Sequence, residues 1–443
     1  MPRSTLAQRL WSDEALYEHL RFFNGSDVAG RATGTAGYAT AAAYVAARMA
    51  EFELQAAVGG NAQVIYLTSI NEIRAATLAV LGSDTLALYP GIDFLPDGRS
   101  DSGQVDIRGL LFSPPGEGAE AAAGLHPDEA VVLPAAATPS EYLETLRDAG
   151  ARVVLSVGPF EPQPAAAPIH GLLVIHILPE TVVRLMGATP RTLADHLENA
   201  LQRTWRLPQP VRFYIDAAEY PKAGAINVLA YVPGRQPVRA RELVIVCADL
   251  DAIGTFAGVP MLDAGHLGTG TAALLEVARQ YATFARFASM PERTLLFAVF
   301  SGARQGYAGL QAYLRYPLWP FEHTRAVIYA GLDAADEPAV RGMLADKNLP
   351  LYALTTSEGA LNAPGVVLLP ARRSPRQRTL RPSGEEVARR SPPRTSDLID
   401  AGVVRARLLA DSMHTLLLRE AATSAPFMPV DADTLRIPPA HDK

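Results

Sequence analysis

The chain has 443 residues, a formal net charge of -6, and 49% hydrophobic against 19% charged side chains. These values predict a globular protein, built as one large domain or as a core with an inserted domain, and they exclude disordered and fibrous classes. The small net charge gives no general attraction to nucleic acid or membranes, and no run of about 18 apolar residues predicts a membrane helix.

The single cysteine limits the chemistry further. Cys247 is the sole cysteine, which excludes an internal disulfide and a zinc-finger pattern. Because it lies in the apolar run 243–248, we expect a buried structural thiol. The first residues, Met1 to Ser4, lead into a polar helix and show no apolar signal segment.

Amphipathic helices are predicted near the N-terminus. The first spans Asp13 to Phe23, where apolar residues recur at helical spacing, and Ser12 is its expected N-cap. The second spans Tyr38 to Phe52, after a turn at Gly34. Both are expected to be packing helices of the core.

Residues 61–219 differ in character, with short apolar runs separated by proline and glycine. This pattern predicts an inserted α/β or β-rich domain, flanked by 1–60 and 220–443 as a discontinuous core domain. Strands are predicted at Ala79 to Leu81, Val131 to Leu133, Val153 to Val157 and Leu172 to Ile177. Helices are predicted at Ser140 to Ala149 and Thr192 to Leu201.

After residue 220, strand-like and helix-like segments alternate. Strands are predicted at Ile226 to Tyr231, Leu243 to Ala248, Leu295 to Phe300, Ala326 to Leu332, Leu351 to Leu354 and Val366 to Leu369. Helices are predicted at Thr271 to Phe284, Tyr307 to Arg315 and Asp397 to about Arg419. The alternation predicts a mostly parallel sheet with helices on both faces and a ligand site at the carboxyl ends of its strands.

An arginine-rich segment broken by prolines lies at 372–394 and is predicted to be a solvated loop. Docking onto an acidic protein or an anionic polymer is the alternative. The candidate partner-binding residues are Arg372, Arg373, Arg376, Arg378, Arg389 and Arg390. Nucleic-acid reading is not expected, because the segment holds no aromatic side chain.

Four motifs of the predicted core share one family pattern. They are 20–37, with Gly30-Arg31 and Gly34-Thr35, then 227–234, 269–279, and 296–302 followed by Gln305-Gly306. In order and spacing they resemble the co-catalytic two-zinc aminopeptidases, peptidase family M28 of clan MH. The resemblance implies a three-layer α/β/α zinc-aminopeptidase-like core with a mostly parallel sheet, and a smaller protease-associated-type domain at 61–219.

The family's metal centre needs a His, a bridging Asp, a Glu, a second Asp and a final His, with a further Glu as general base. The motifs place Asp249 at the first His, Gly265 at the bridging Asp and Arg304 at the ligand Glu. Asp333 keeps its ligand type, and Arg390 is the counterpart of the final His. The general-base position holds an alanine, residue 303. The resemblance therefore implies that the zinc site is lost, with no catalytic residue and no cofactor.

Polar residues remain around the lost metal site. The remnant cluster is Asp249, Asp251, His266, Arg304 and Asp333. Removing zinc leaves these carboxylates without a compensating charge, and Arg304 falls where the metal charge would be. We therefore expect Asp249 and Asp333 to form an ion-pair cluster with Arg304.

The replacements favour a catalytically inactive aminopeptidase-like protein that acts as a scaffold or binding subunit with protein partners. One alternative is a hydrolase of peptides, either metallo-aminopeptidase-type or with a repurposed single-metal site. Its oxygen-rich ligands would be Asp249, Asp251, Asp263, His266 and Asp333. His266 is more simply explained as a loop residue before a helix.

The other alternative is a non-hydrolytic binder of peptide ends or small ligands in the old cleft. Backbone N–H groups of 265–271 would then face an anion at a helix start. Exported members of the family suggest an extracytoplasmic location, in the periplasm or envelope.

Overall fold

The computed structural model describes residues 11–66, 69–82, 87–113, 125–135, 139–159, 167–199, 204–252, 254–256, 259–260, 268–287, 291–355, 367–368 and 395–422. The chain forms two compact units. The first comprises Met1–Tyr66, Gly224–Ala252 and Leu262–Lys443, and the second comprises Leu67–Ala223 and Ile253–Met261.

The helices of the described residues are α1 Asp13–Phe23, α2 Ala36–Glu51, α3 Ser140–Asp148, α4 Pro179–Met186, α5 Pro190–Asn199, α6 Thr269–Phe287, α7 Ala308–Arg315, α8 Glu337–Ala345 and α9 Thr395–Ala422. The strands are β1 Gln55–Ala56, β2 Ala62–Tyr66, β3 Ser69–Val80, β4 Ala87–Leu88, β5 Phe94–Pro96, β6 Gly103–Phe112, β7 Glu129–Pro134, β8 Val153–Val157, β9 Leu173–Ile177, β10 Thr204–Pro221, β11 Gly224–Val232, β12 Leu243–Asp249, β13 Thr255–Phe256, β14 Val259–Pro260, β15 Thr294–Phe300, β16 Thr324–Leu332, β17 Leu351–Thr355 and β18 Val367–Leu368.

The first unit is built on a mixed sheet in the order β1-β11-β15-β12-β16-β17-β18, with β2 also paired to β11. Strands β15, β12, β16, β17 and β18 run parallel. Strand β11 is antiparallel to β15 and to β2, where Tyr66 lies opposite Gly224. The predicted mostly parallel sheet is confirmed.

Helices cover both faces of this sheet. On one face, α7 and α8 pack into a buried apolar cluster that includes Leu310, Leu344 and Cys247. On the other, α6 contacts β12 and β16 and is packed against α9, while α2 contacts β11. Successive residues of a strand point to opposite faces, so the apolar runs of the central strands supply buried side chains against the helices on both faces. The result is the predicted three-layer α/β/α arrangement.

Local signals explain several boundaries. Ser12 is the N-cap of α1, as predicted, because its hydroxyl accepts from the backbone N–H of Ala15 at 3.2 Å.

Cys247 is fully buried, which confirms the expected structural thiol, and burial raises the pKa of its thiol well above the ordinary value. No helix within the described ranges is long and apolar enough to span a membrane.

The second unit is a mixed sheet in the order β4-β3-β10-β6-β7-β8-β9-β5. Strands β6 to β9 are parallel neighbours, and β10 pairs antiparallel with both β3 and β6. Helix α3 packs on one face through Leu143 and Leu146, and α4 and α5 pack on the other through residues such as Val182 and Leu193.

The structure draws the unit boundary differently from the predicted 61–219. Strand β2 pairs with β11 and so lies in the first unit, while the β13–β14 hairpin lies in the second. The long strands β6 and β10 were not predicted. Pro208 and Pro210 argue against a strand, but the pairing of β10 with β6 shifts register between Arg206 and Val211, the stretch that contains both prolines.

Candidate functional site

A cavity of about 40 Å³ lies where the central parallel strands of the first unit end. Its floor and walls come from the ends of β12 and β16, the loop after β15 and the start of α6. The lining residues that carry charged or hydroxyl groups are Asp249, Asp251, Thr269, Arg304, Tyr307, Asp333 and Asp336. This is the edge of an α/β sheet at which ligand sites form.

Asp249 ends strand β12 and is held from two directions. The hydroxyl of Tyr329, on the neighbouring strand β16, donates to its Oδ1 at 2.6 Å. The Thr271 hydroxyl, in the first turn of α6, donates to its backbone carbonyl at 2.7 Å. The Asp249 carboxyl group is therefore anchored to a buried tyrosine.

Asp251 fixes the loop that follows β15. Its carboxylate oxygens accept the backbone N–H groups of Ala303 and Arg304, each at 3.2 Å. The buried Arg31 lies beside it and donates to the carbonyl of Leu250 at 2.9 Å. Burial lowers the pKa of Arg31 to about 10, while the charge of Asp251 opposes this shift.

Burial, and next the charge of Asp251, raise the pKa of Asp249 from 3.8 to about 8. The hydrogen bond from Tyr329 and the charge of Arg304 act in the opposite direction without cancelling the shift. Burial also raises the pKa of Asp251. The two carboxyls thus share a buried site that disfavours a second negative charge.

Asp333 and Asp336 belong to the turn between β16 and α8. Asp333 Oδ1 accepts the N–H of Ala335 at 2.9 Å, and its carbonyl accepts from Asp336 and Glu337. The hydroxyl of Tyr307 donates to Asp336 Oδ2 at 2.9 Å. The Asp333 carboxylate therefore organises this turn, whereas the Asp336 carboxylate joins the turn to Tyr307 in the loop after β15.

The structure brings four of the five remnant-cluster residues to one cavity, namely Asp249, Asp251, Arg304 and Asp333. The charge of Arg304 acts on Asp249, but the hydrogen bond to that carboxylate comes from Tyr329. The expected ion pairs of Arg304 with Asp249 and Asp333 stay a prediction. Several predicted residues lie outside the described ranges: Asp263, Gly265, His266, Arg372, Arg373, Arg376, Arg378, Arg389 and Arg390.

The sequence analysis missed Tyr307, Tyr329 and Asp336. Tyrosines inside apolar segments predict only core packing, so nothing in the pattern pointed to them. Asp336, directly before Glu337 and Pro338, has the pattern of a helix start and could have revealed α8.

The described residues of the cavity do not match a two-zinc ligand set. The cavity holds a guanidinium, Arg304, and Ala303, to which the resemblance assigns the general base, has no side-chain proton acceptor. The Asp249 carboxylate is already bonded to Tyr329. Among the described residues, no group of three or more His, Cys, Asp or Glu side chains is arranged to hold a metal ion.

Comparisons with known proteins agree with this architecture. The family model described as peptidase family M28 matches residues 227–341. An aminopeptidase from Aneurinibacillus sp. strain AM-1 has a TM-score of 0.51 at 14% identity, covering 96% of this chain and 98% of that one. A peptidase M28 precursor from Shewanella amazonensis SB2B has a TM-score of 0.50 at 14% identity, with 97% and 98% covered. No curated protein matches the chain.

The fold is thus that of the M28 aminopeptidases, which confirms the predicted fold class. The chain resembles the two-zinc aminopeptidases of family M28, with the sequence match falling on the segment that carries Asp249, Arg304 and Asp333.

Replacing Asp249 by asparagine is expected to flatten the pH dependence of stability. The folded wild type binds a proton at Asp249 more tightly than the unfolded chain does. The stabilisation that Asp249 contributes through this bound proton is therefore full below about pH 4, and it is lost as the pH rises toward 8. Each tenfold change in proton affinity is worth about 1.4 kcal/mol. Thermal unfolding from pH 5 to 8 should show a declining Tm in wild type and a flatter profile in Asp249→Asn.

Asparagine keeps an acceptor oxygen for Tyr329, so the variant isolates the charge. A bound cation would lower the pKa of Asp249 and so reverse the sign of the pH dependence of stability. A wild type that gains stability over this pH range while Asp249→Asn loses it would contradict the prediction.

Proposed function

We propose that the chain is a catalytically inactive M28-type protein that serves as a scaffold or binding subunit for other proteins. The observation that carries the proposal is the loop after β15. Asp251 fixes its backbone at Ala303 and Arg304, and the resemblance to the family assigns these two positions to the general base and to a metal ligand. Loss of a general base alone costs on the order of 100- to 10,000-fold in rate.

The hydrogen bonds of the cavity support scaffolding over peptide binding, because Asp249 and Asp251 are already bonded to Tyr329 and to the backbone of 303–304. No cofactor is part of the proposal. The arginines of 372–394 and the second unit, taken as a protease-associated-type domain, are the proposed contact regions for a protein partner. An extracytoplasmic location rests on the resemblance to the family alone.

Zinc loading and turnover provide the direct test of inactivity. Purified chain is dialysed against excess zinc, freed of unbound metal, and analysed for zinc per chain and for hydrolysis of aminoacyl-nitroanilides. We expect no stoichiometric zinc and no turnover, because Arg304 repels a cation and Ala303 cannot activate water. An active M28 aminopeptidase processed in parallel serves as the positive control. About two zinc ions per chain together with turnover would overturn the proposal.

If the chain is a binding subunit, we expect binding of its partner to depend on surface residues and not on the cavity. Affinity capture with the wild-type chain is compared with capture by a variant in which the six arginines named at 372–390 are changed to serine. Binding that survives this change but disappears on deletion of 67–223 would assign the contact to the second unit.

A further inference from the structure

A buried histidine and a buried glutamate face each other between two contacting helices of the first unit. His19 lies on α1 and is 5% exposed, and Glu276 lies on α6 and is fully buried. His19 Nε2 is 3.8 Å from Glu276 Oε1, the separation of an ion pair when the ring is protonated. That distance is too long for a hydrogen bond, so the neutral ring lies beside the carboxylate without bonding to it.

The two ring nitrogens of His19 have different surroundings. Nδ1 lies 2.7 Å from the hydroxyl of Tyr44 on α2. Nε2 is buried and has no hydrogen-bond partner among the residues that the structure describes. A neutral imidazole carries one N–H group, whereas an imidazolium ion carries two. Protonation therefore lets His19 donate to Tyr44 and pair with Glu276 at the same time.

Glu276 is held in its ionised form. Arg279, one turn further along α6, donates to this carboxylate from Nε at 3.1 and 3.2 Å and from Nη2 at 2.8 Å. Burial would raise the pKa of Glu276, but the contacts with His19 and Arg279 outweigh it and lower that pKa. Burial disfavours a charge on the His19 ring, and the neighbouring carboxylate favours it.

Other charged or titratable groups lie around Tyr44 and α1. They are Glu18 on α1, Arg48 and Glu51 on α2, Arg279 on α6, and Asp411 and His414 on α9. Arg48 pairs with Glu51, and Asp411 accepts from the indole of Trp11. Burial lowers the pKa of His414, so its protonation costs stability and has the opposite sign. The carboxylate at ion-pair distance from His19 is that of Glu276.

The end of α1 reaches the cavity that Asp249 lines. Phe23, one turn after His19, lies against Gly268, because a Cβ on that glycine would be 2.9 Å from Phe23 Cδ2. Gly268 lines the cavity just before α6. The carbonyl of Phe23 also accepts from Arg31, which lies beside Asp251. The packing of α1 on α6 therefore supports one wall of the cavity.

We propose that His19 is a proton-dependent link between α1 and α6, which pairs with Glu276 when protonated and holds Phe23 against Gly268 at the cavity wall. Histidine is the side chain that ordinarily changes charge between about pH 5 and 8. Because the pair needs the protonated ring, its stabilisation is present in acid and is lost as the pH rises and His19 releases its proton. The inference does not depend on the proposed function, since it concerns the packing of α1 in a catalytic or a non-catalytic chain.

Hydrogen–deuterium exchange of the full chain at about pH 5 and about pH 8 tests the link. Each variant is compared with wild type at the same pH, so that the intrinsic pH dependence of exchange cancels. In His19→Gln, which cannot be protonated, exchange in 16–23 and 268–272 should exceed that of wild type by about 10-fold more at the lower pH than at the higher one, the equivalent of one pKa unit. Asp249 titrates in the same range but is present in each chain, so its effect also cancels.

Further variants separate the link from general loosening. Glu276→Gln removes the partner and should show the same excess at low pH, and the double variant should show no larger excess than either single one. His170→Gln, in the second unit, removes an exposed ring and should leave 16–23 unchanged. Because Glu276→Gln also removes the partner of Arg279, His19→Gln gives the answer if that variant does not fold.

Two results would overturn the proposal. If His19→Gln speeds exchange in 16–23 equally at both pH values, the contact of His19 does not depend on a proton. If exchange changes in 16–23 but not in 268–272, the link does not reach the cavity wall. Neither result bears on the zinc and turnover assays.

Discussion

Gly270→Ala is expected to destabilise the first unit by about 3 kcal/mol or more, at the upper end for overpacking. A Cβ at this position would lie 2.4 Å from the backbone oxygen of Ala330 and 3.0 Å from its carbonyl carbon. The obstacle is the backbone of a buried central strand, which cannot rotate away as a side chain can. Helix α6 would have to move off β16. Urea unfolding followed by circular dichroism measures the loss.

Gly342→Ala is the matched control. Gly342 lies within helix α8, and a Cβ there would meet nothing within 4 Å. Alanine is favoured over glycine in a helix interior, so this variant should gain up to about 1 kcal/mol. If both variants change stability by similar amounts in the same direction, the close approach of α6 to β16 is not what requires glycine at 270.

Asp97→Ala is expected to cost the second unit about 3 kcal/mol or more, since it leaves buried partners without their counter-charge. Asp97 is 1% exposed and accepts from Arg99 Nε and Nη2 at 2.8 and 2.6 Å. His176 Nε2 lies 2.9 Å from Oδ2. Burial alone would raise the pKa of Asp97, but the hydrogen bonds from Arg99 and His176 outweigh it and hold that pKa well below the ordinary value.

The sign of the pH dependence follows from that depressed pKa. The stabilisation is present above about pH 4 and is lost as the pH falls further, so the gap between wild type and Asp97→Ala should narrow in acid. Asp106→Ala is the control, because the Asp106–Arg212 pair has the same bidentate geometry but lies in solvent. If Asp97→Ala and Asp106→Ala lose equal free energies of unfolding, burial of Asp97 with Arg99 and His176 adds nothing to stability.

The parallel core could be predicted because its strands are short, continuous apolar runs. Leu243–Asp249 and Thr294–Phe300 are buried on both faces, and few other structures accommodate such runs between helices. The observed strands match the predicted ones within a few residues. Local sequence predicts these strands because nearly every residue in them is buried and is therefore apolar.

The second unit was less predictable, since its long strands are only half-buried. In β10 the burial pattern is irregular, and two prolines interrupt the alternation that identifies a strand. Only pairing with β3 and β6, which are distant in sequence, defines this strand. Helix α4 was missed because it is short and follows a buried strand almost directly.

The loss of the zinc ligands is a prediction from the motifs, which assign the ligand positions by order and spacing. The contacts made around these positions could not be predicted in the same way. The partner of Asp249 is Tyr329, and the partner of Asp336 is Tyr307; each pair joins elements far apart in the chain. Contacts of this kind follow from the order of strands in the sheet, which no local pattern contains.

The pairing of Tyr66 with Gly224 bears on how the second unit is accommodated in the chain. These residues face each other on antiparallel strands β2 and β11, so 67–223 leaves and rejoins the first unit at adjacent backbone positions. A two-residue turn would connect the same strands without disturbing their ladder. The segment 67–223 thus occupies the place of a hairpin loop between β2 and β11. Gain, loss or exchange of that segment during evolution would leave the hydrogen bonding between β2 and β11 intact.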